Sequence, residues 1–195
     1  MHSLLEQIFT TGMTELPNGA VEPVHSSISR DDCAAVERAI AQSGATSAIE
    51  VGMAFGISAL AIADALSRNG SARLVSIDPQ QTSSWRGAGL HLLRRAGLAD
   101  FAEVIEEPSQ LALPRLAARG DRFDLAFIDG WHTFDHALID FFYCDLMLEP
   151  GGIMILDDVG YAAINRLVRF ILSNRDYELV EVTRYPDAPP AAAQF

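Results

Sequence analysis

From Ser29 onward the sequence alternates six times between a short apolar run and a stretch of helical period, and most of the apolar runs carry no polar alternation. A strand that is apolar on both faces must be covered on both faces. The pattern therefore selects an α/β sandwich, Rossmann-like, with three layers and a mostly parallel central sheet. Apolar runs over 45–51, 73–78, 102–106, 123–129, 153–156 and 178–183 predict strands. Helices are expected over about 29–42, 57–67, 84–96, 108–118, 133–148 and 161–174. Ser29 stands as an N-cap, with Asp31 and Asp32 in the first turn after it. Pro114 is expected to kink or divide its helix, and Pro150-Gly151-Gly152 to stop the one before it. The first 28 residues read irregularly, with one short helix over 4–9. They are expected to be a separate N-terminal segment, followed by one domain over 29–185 and a Pro- and Ala-rich tail over 186–195.

In such a sheet, ligands bind outside the carboxyl ends of the strands. The residues closing the first five strands are Glu50-Val51-Gly52, Asp78, Glu106-Glu107, Asp129 and Asp157-Asp158, so every one of these ends carries a carboxylate. Gly52-Met53-Ala54-Phe55-Gly56 forms a turn into a helix, where glycine lets a ligand approach the backbone and the helix N-terminus offers amides to an anion. It departs from G-x-G-x-x-G, because Ala54 stands where a middle glycine would be. Asp78 is placed to accept both ribose hydroxyls of a nucleoside. Asp157 and Asp158 follow Asp129 by 28 and 29 residues. If the two strand ends are neighbours, three carboxylates converge, and such a cluster calls for a cation or protons. Oxygen ligation of magnesium, manganese or calcium follows.

Charge and composition narrow the partners. Acidic residues outnumber basic ones 26 to 14, a net charge of −12, and all 14 basic residues are arginine. This field opposes nucleic acid and anionic membrane surfaces. The absence of lysine excludes a lysine base, a Schiff base and a Walker phosphate loop. Cys33 and Cys144 lack a CxxC partner, which suits a reducing, cytoplasmic setting. The first ten residues make a poor signal peptide. The longest apolar stretch, 48–66, is broken by Glu50 and Asp64 and does not suit a membrane span. His132-Thr-Phe-Asp-His136 lacks the glutamate of a zinc-protease helix, and His136 reads as a helix-surface residue. Trp85-Arg86-Gly87 reads as a loop near the ligand edge, and His25 is given no role.

Glu50-x-Gly52-x-x-x-Gly56-x-Ser58, Ile77-Asp78, Phe127-Ile128-Asp129-Gly130-x-His132 and Pro150-Gly151-Gly152 leading to Asp157-Asp158 together resemble class I S-adenosylmethionine-dependent methyltransferases. In particular they resemble metal-dependent small-molecule O-methyltransferases, similar to the catechol enzymes and the sugar- and antibiotic-tailoring enzymes. The resemblance spans about 29–182, and the related folds imply that the segment before it, 1–28, forms a lid over substrate. The resemblance implies that Gly52 and Gly56 line the methionine part of S-adenosylmethionine and that Ser58 faces its carboxylate, with Glu50 behind the loop. Asp78 would hold the ribose, Ser109 and Gln110 would meet the adenine edge, and Trp131 would pack near the cofactor. Asp129, counted with the cofactor and the chemistry, would bind a divalent ion, magnesium or manganese, with Asp157 and Asp158. His132 stands where the catechol enzymes place a lysine base and is the expected base here. Asp158 replaces the usual asparagine ligand. The seventh, antiparallel strand of the fold, left to 189–195, is expected to be short or missing. A small hydroxylated molecule is the expected substrate, and a homo-oligomer is admitted. Two rivals are a nucleotide-dependent oxidoreductase and a methyltransferase-like binding module without turnover.

Overall fold

The structure, a computed structural model, describes residues 1–183. The tail over 186–195 and the expected strand over 189–195 lie outside the described residues. The chain opens with helix α1 (Ser3–Thr11) and an antiparallel hairpin of β1 (Met13–Glu15) and β2 (Val21–Pro23). The helix is the one expected. The hairpin strands, three residues each, are too short for a period of two to show in sequence.

The alternation then follows as α2 (Arg30–Ser43), β3 (Ser47–Val51), α3 (Ile57–Arg68), β4 (Arg73–Ile77), α4 (Ala88–Arg95) and β5 (Ala102–Ile105). It continues with α5 (Ser109–Arg119), β6 (Phe123–Ile128), α6 (Phe134–Met147), β7 (Leu148–Leu156) and α7 (Ala162–Asn174). Ser29 closes a capping box with Asp32: the Asp32 amide donates to Ser29 Oγ at 3.2 Å and the Ser29 amide to Asp32 Oδ2 at 3.1 Å. Pro114 does not divide α5, which stays one helix through Arg119. Helix α6 ends at Met147 and passes straight into β7, so that strand starts five residues before the expected 153. The Pro-Gly-Gly stretch is absorbed as a register shift against β6.

The five strands pair in the order β5-β4-β3-β6-β7, and all pairings are parallel. Ala48, Leu74, Leu125 and Phe127 point to the side of α2, α3 and α4, whereas Ile49, Val75, Ala126 and Ile128 point to α5, α6 and α7. Each strand thus feeds two cores, which is why its sequence shows no alternation. The chain order reverses between β3 and β6, and that switch point opens the crevice where ligands sit.

The sixth expected strand, 178–183, does not form. Leu179, Val180 and Val182 are exposed, Val180 by 90%. The segment is instead tied to α2 by side chains: Thr183 Oγ1 donates to Asp32 Oδ1 at 2.6 Å and Arg38 pairs with Glu181 at 2.5 Å. Apolar β-branched composition favours a strand only where an edge is there to pair with it, and the described residues here make no ladder.

Candidate active site

Backbone hydrogen bonds carry the sheet ladder one residue past the strand ends. The amides of Gly52, Asp78, Asp129 and Asp157 donate to the carbonyls of Ile77, Ile105, Val51 and Ile128, at 2.8–3.1 Å. Four of the residues singled out in sequence are thereby held side by side on one edge.

At the switch point the turn after β3 touches the turn after β6. Gly52 has φ +92°, and a Cβ there would lie 2.0 Å from the Asp129 carbonyl oxygen. Only glycine fits, for both conformation and space. Gly56, at φ +84°, would place a Cβ 2.7 Å from Gly89 Cα, so it serves the approach of α3 to α4. No side chain caps α3 and its first turn carries no acid. Its first amides therefore have no side-chain acceptor, an arrangement that suits an anion.

Asp78 is buried, and its carboxylate holds this loop. Oδ2 accepts from the amides of Met53 (3.1 Å) and Ala54 (2.8 Å) and from Gln81 Nε2 (3.2 Å), while Oδ1 accepts from the Gln80 amide (2.8 Å). Glu50 is fully buried beneath the loop, where Ser58 Oγ donates to Oε1 at 2.5 Å and Ser76 Oγ contacts Oε2. Burial pushes the Glu50 carboxyl up to about 8 against the pull of the two serines, so it is largely protonated at neutral pH. Ser58 is committed to Glu50 rather than open to the crevice. Phe55 of the same loop packs against Trp85 and His25, with ring centroids 5.3 and 4.9 Å away. Trp85 is thus a packing residue, and the segment before α2 rests on the glycine loop through His25.

The acidic cluster differs in membership from the expected trio. Asp129, His132 and Asp158 bring ligand atoms within 4.8 Å of one another, and Asp157 is not in that group. His132 Nε2 lies 2.7 Å from Asp158 Oδ2 and 3.6 Å from Asp129 Oδ1. The Asp129 carboxylate raises the His132 pKa above its usual value against partial burial, and the charges of Asp158 and Asp157 add to the rise. Asp157 is pushed up to about 7, first by burial and then by the charge of Asp129. Burial likewise raises Asp129, against the neighbouring His132 imidazole, which lowers it. Asp157, Asp129 and His132 are thus each shifted toward holding a proton, which is the alternative to binding a cation.

Ser109 is buried at the start of α5, whereas Gln110 faces solvent. Trp131 is 60% exposed on the turn after β6, with its ring 6.2 Å from that of His136. Two residues of the site were not singled out in sequence. Asp140, 1% exposed, lies under Gly130, where a Cβ would be 3.1 Å from Asp140 Oδ2. Burial raises its pKa to about 6, opposed by a hydrogen bond from Ser109. A signal existed: Asp140 falls in the buried stripe Ala137, Asp140, Phe141, Cys144 of α6, an acid at an apolar period position. Tyr161, at the start of α7, stacks on His132 with centroids 5.0 Å apart and planes 17° from parallel. No sequence period points to it.

A parallel sheet in this order, with a glycine turn after its central strand and acids on the neighbouring strand ends, defines the class I methyltransferase fold. The chain belongs to the methyltransferase-domain family, whose model matches residues 49–159, from β3 through the Asp157-Asp158 turn. Solved structures agree in fold. An O-methyltransferase from Bacillus cereus, in complex with SAH, is similar with a TM-score of 0.68 and 21% identity, over 89% of this chain and 80% of that one. The O-methyltransferase TomG from Streptomyces achromogenes, involved in tomaymycin synthesis and bound to SAM, gives 0.65 and 21%, over 77% and 71%. The SAH-bound methyltransferase PaMTH1 from Podospora anserina gives 0.63 and 20%, over 82% and 63%. No curated protein matches the chain in sequence. No helix among the described residues is long and apolar enough to cross a membrane.

Proposed function

We propose that the chain is an S-adenosylmethionine-dependent O-methyltransferase that acts on a hydroxyl of a small molecule with the help of a divalent ion. The observation that carries this reading is the meeting of Asp129, His132 and Asp158 beside the Gly52 turn, at the switch point of a methyltransferase sheet. The residues suit the cofactor: the uncapped first turn of α3 matches a carboxylate, and the acidic strand ends match a sulfonium cation. The cofactor supplies an electrophilic methyl group. The donor set suits a divalent ion as well, with Asp129 and Asp158 as ligands and Asp157 next to them. Such an ion would lower the pKa of a hydroxyl and fix its direction.

The chain's own residues do the remainder. The Asp78-held loop and the turn at Asp129 set where cofactor and acceptor meet, which is the larger part of catalysing an in-line transfer. With the cofactor held there, the acceptor oxygen would take its methyl group and leave a thioether, and the hydroxyl proton would pass to the His132 imidazole, whose Nε2 lies 2.7 Å from Asp158 Oδ2.

Calorimetry tests the cofactor. S-adenosylmethionine should bind, NAD should not, and Asp78→Ala should weaken binding by about 1–3 kcal/mol, because the substitution removes charge-assisted hydrogen bonds that hold the loop and reach the ribose. Binding of NAD alone would replace this reading with the oxidoreductase. Metal removal tests the ion. Activity toward a panel of catechols and sugar diols should vanish on exhaustive chelation and return with magnesium or manganese; activity that survives would leave the carboxylates a structural and cofactor role only.

A further inference from the structure

We infer that Tyr161 is a positioning residue for His132: its ring sets the plane of the imidazole and so its orientation beside Asp129 and Asp158, where the acceptor hydroxyl reacts. The inference rests on the O-methyltransfer reading above, in which His132 takes the proton.

The argument begins with the turn that follows β7. Asp158 has φ +56°, a left-handed conformation that a residue with a Cβ adopts only when its surroundings hold it there. The Tyr161 amide donates to the Asp158 carbonyl at 2.9 Å, which closes the four-residue turn Asp158-Val159-Gly160-Tyr161. This one turn presents two groups to the same imidazole. Asp158 Oδ2 meets its edge, 2.7 Å from Nε2, and the Tyr161 ring lies along its face, 17° from parallel. The two contacts constrain different motions. A hydrogen bond to a ring nitrogen leaves the ring free to swing about the N···O axis, whereas a stacked neighbour fixes the plane. Together they leave His132 one orientation.

A second observation shows that Tyr161 does not serve the helix or the core. It is the N-cap residue of α7, a position that favours Ser, Thr, Asp or Asn, and it makes no capping hydrogen bond. It is 53% exposed and contributes to neither buried cluster. The ring contact that it makes among the described residues is the one with His132.

The experiment compares the full-length protein with Tyr161→Leu and Tyr161→Phe. In Tyr161→Leu, kcat with the fastest acceptor from a panel of catechols and sugar diols should fall about 10–100-fold, the loss expected when a reacting group is misaimed by an ångström or so. The calorimetric affinity for S-adenosylmethionine should stay within about twofold, and Tyr161→Phe, which keeps the ring, should restore kcat. In the protein without cofactor or metal, the His132 imidazole proton resonances, assigned by their absence in His132→Ala, should move downfield in Tyr161→Leu and stay in place in Tyr161→Phe. Unchanged kcat together with unmoved resonances would overturn the inference. So would a Phe variant as impaired as Leu, since the hydroxyl and not the ring would then be acting, or a loss confined to cofactor affinity. If the unmodified protein methylates no acceptor at all, the O-methyltransfer reading fails separately, and the resonance shift alone decides whether Tyr161 holds His132.

Discussion

His132→Ala is expected to lower kcat by about 10²–10⁴-fold, the range for loss of a general base, with affinity for S-adenosylmethionine nearly intact. The geometry isolates the effect. The polar and ring partners of His132 among the described residues are Asp158, Asp129 and Tyr161, none of which belongs to the glycine loop or the Asp78 cluster. Its side chain is 39% exposed, so its removal opens no cavity. The carboxylate neighbours raise its pKa, Asp129 foremost, and the base must be neutral to work. In the metal-free protein the His132 imidazole therefore titrates above the ordinary ~6.5 of histidine, as its proton resonances followed over pH should show, and a divalent ion beside it would move that titration down. The stability linkage has the matching sign. A histidine with a raised folded-state pKa contributes stability that is fully present below its unfolded pKa and lost as pH rises through the folded one. Metal-free protein should therefore lose stability relative to His132→Ala across that window. Steady-state kinetics of the metal-loaded enzyme check the fall in kcat. Full kcat in the variant would show that the ion alone activates the hydroxyl, and a loss confined to cofactor affinity would move His132 to the cofactor.

Gly52→Ala should cost roughly 2–5 kcal/mol of folding stability, from a left-handed residue with a Cβ and an overpacked contact together, and should abolish cofactor binding. The added carbon would sit 2.0 Å from the Asp129 carbonyl oxygen, 2.6 Å from its carbon and 3.2 Å from the Gly130 nitrogen. All three are backbone atoms, so no side chain can turn aside. Either the loop after β3 or the turn carrying Asp129 must move, and each belongs to the site. Gly44→Ala is the control. Gly44 also has positive φ, +71°, at the end of α2, but a Cβ there meets nothing within 4 Å. It should lose only about 1 kcal/mol. Denaturant midpoints for the two variants separate the contributions, and equal losses would mean that the close approach at Gly52 is not a constraint.

Much of the site's edge was legible because strand ends are local features. Asp78, Asp129 and Asp157 each follow an apolar run, and parallel register does the rest by aligning their backbones. What a side chain does from that edge is not local. Asp78 and Ser58 lie where expected, yet their polar atoms are engaged by the loop and by Glu50, which faces inward from β3. Asp140 could have been found from its place in an apolar stripe. Tyr161 could not, because its partner lies 29 residues away on another strand's turn.

The sequence by itself determined the layers, the parallel sheet and the acidic edge, since these follow from which short segments are apolar on both faces and what ends them. It also determined the glycine turn and the capped start of α2, where one or two adjacent residues decide the backbone. Only the tertiary structure decided that His132, and not Asp157, completes the cluster with Asp129 and Asp158, because the left-handed turn at Asp158 aims its carboxylate at the imidazole. It also decided that 178–183 stays out of the sheet. That segment has the composition of a strand, but strand formation needs a neighbouring edge, and here Arg38 and Asp32 of α2 hold the chain elsewhere.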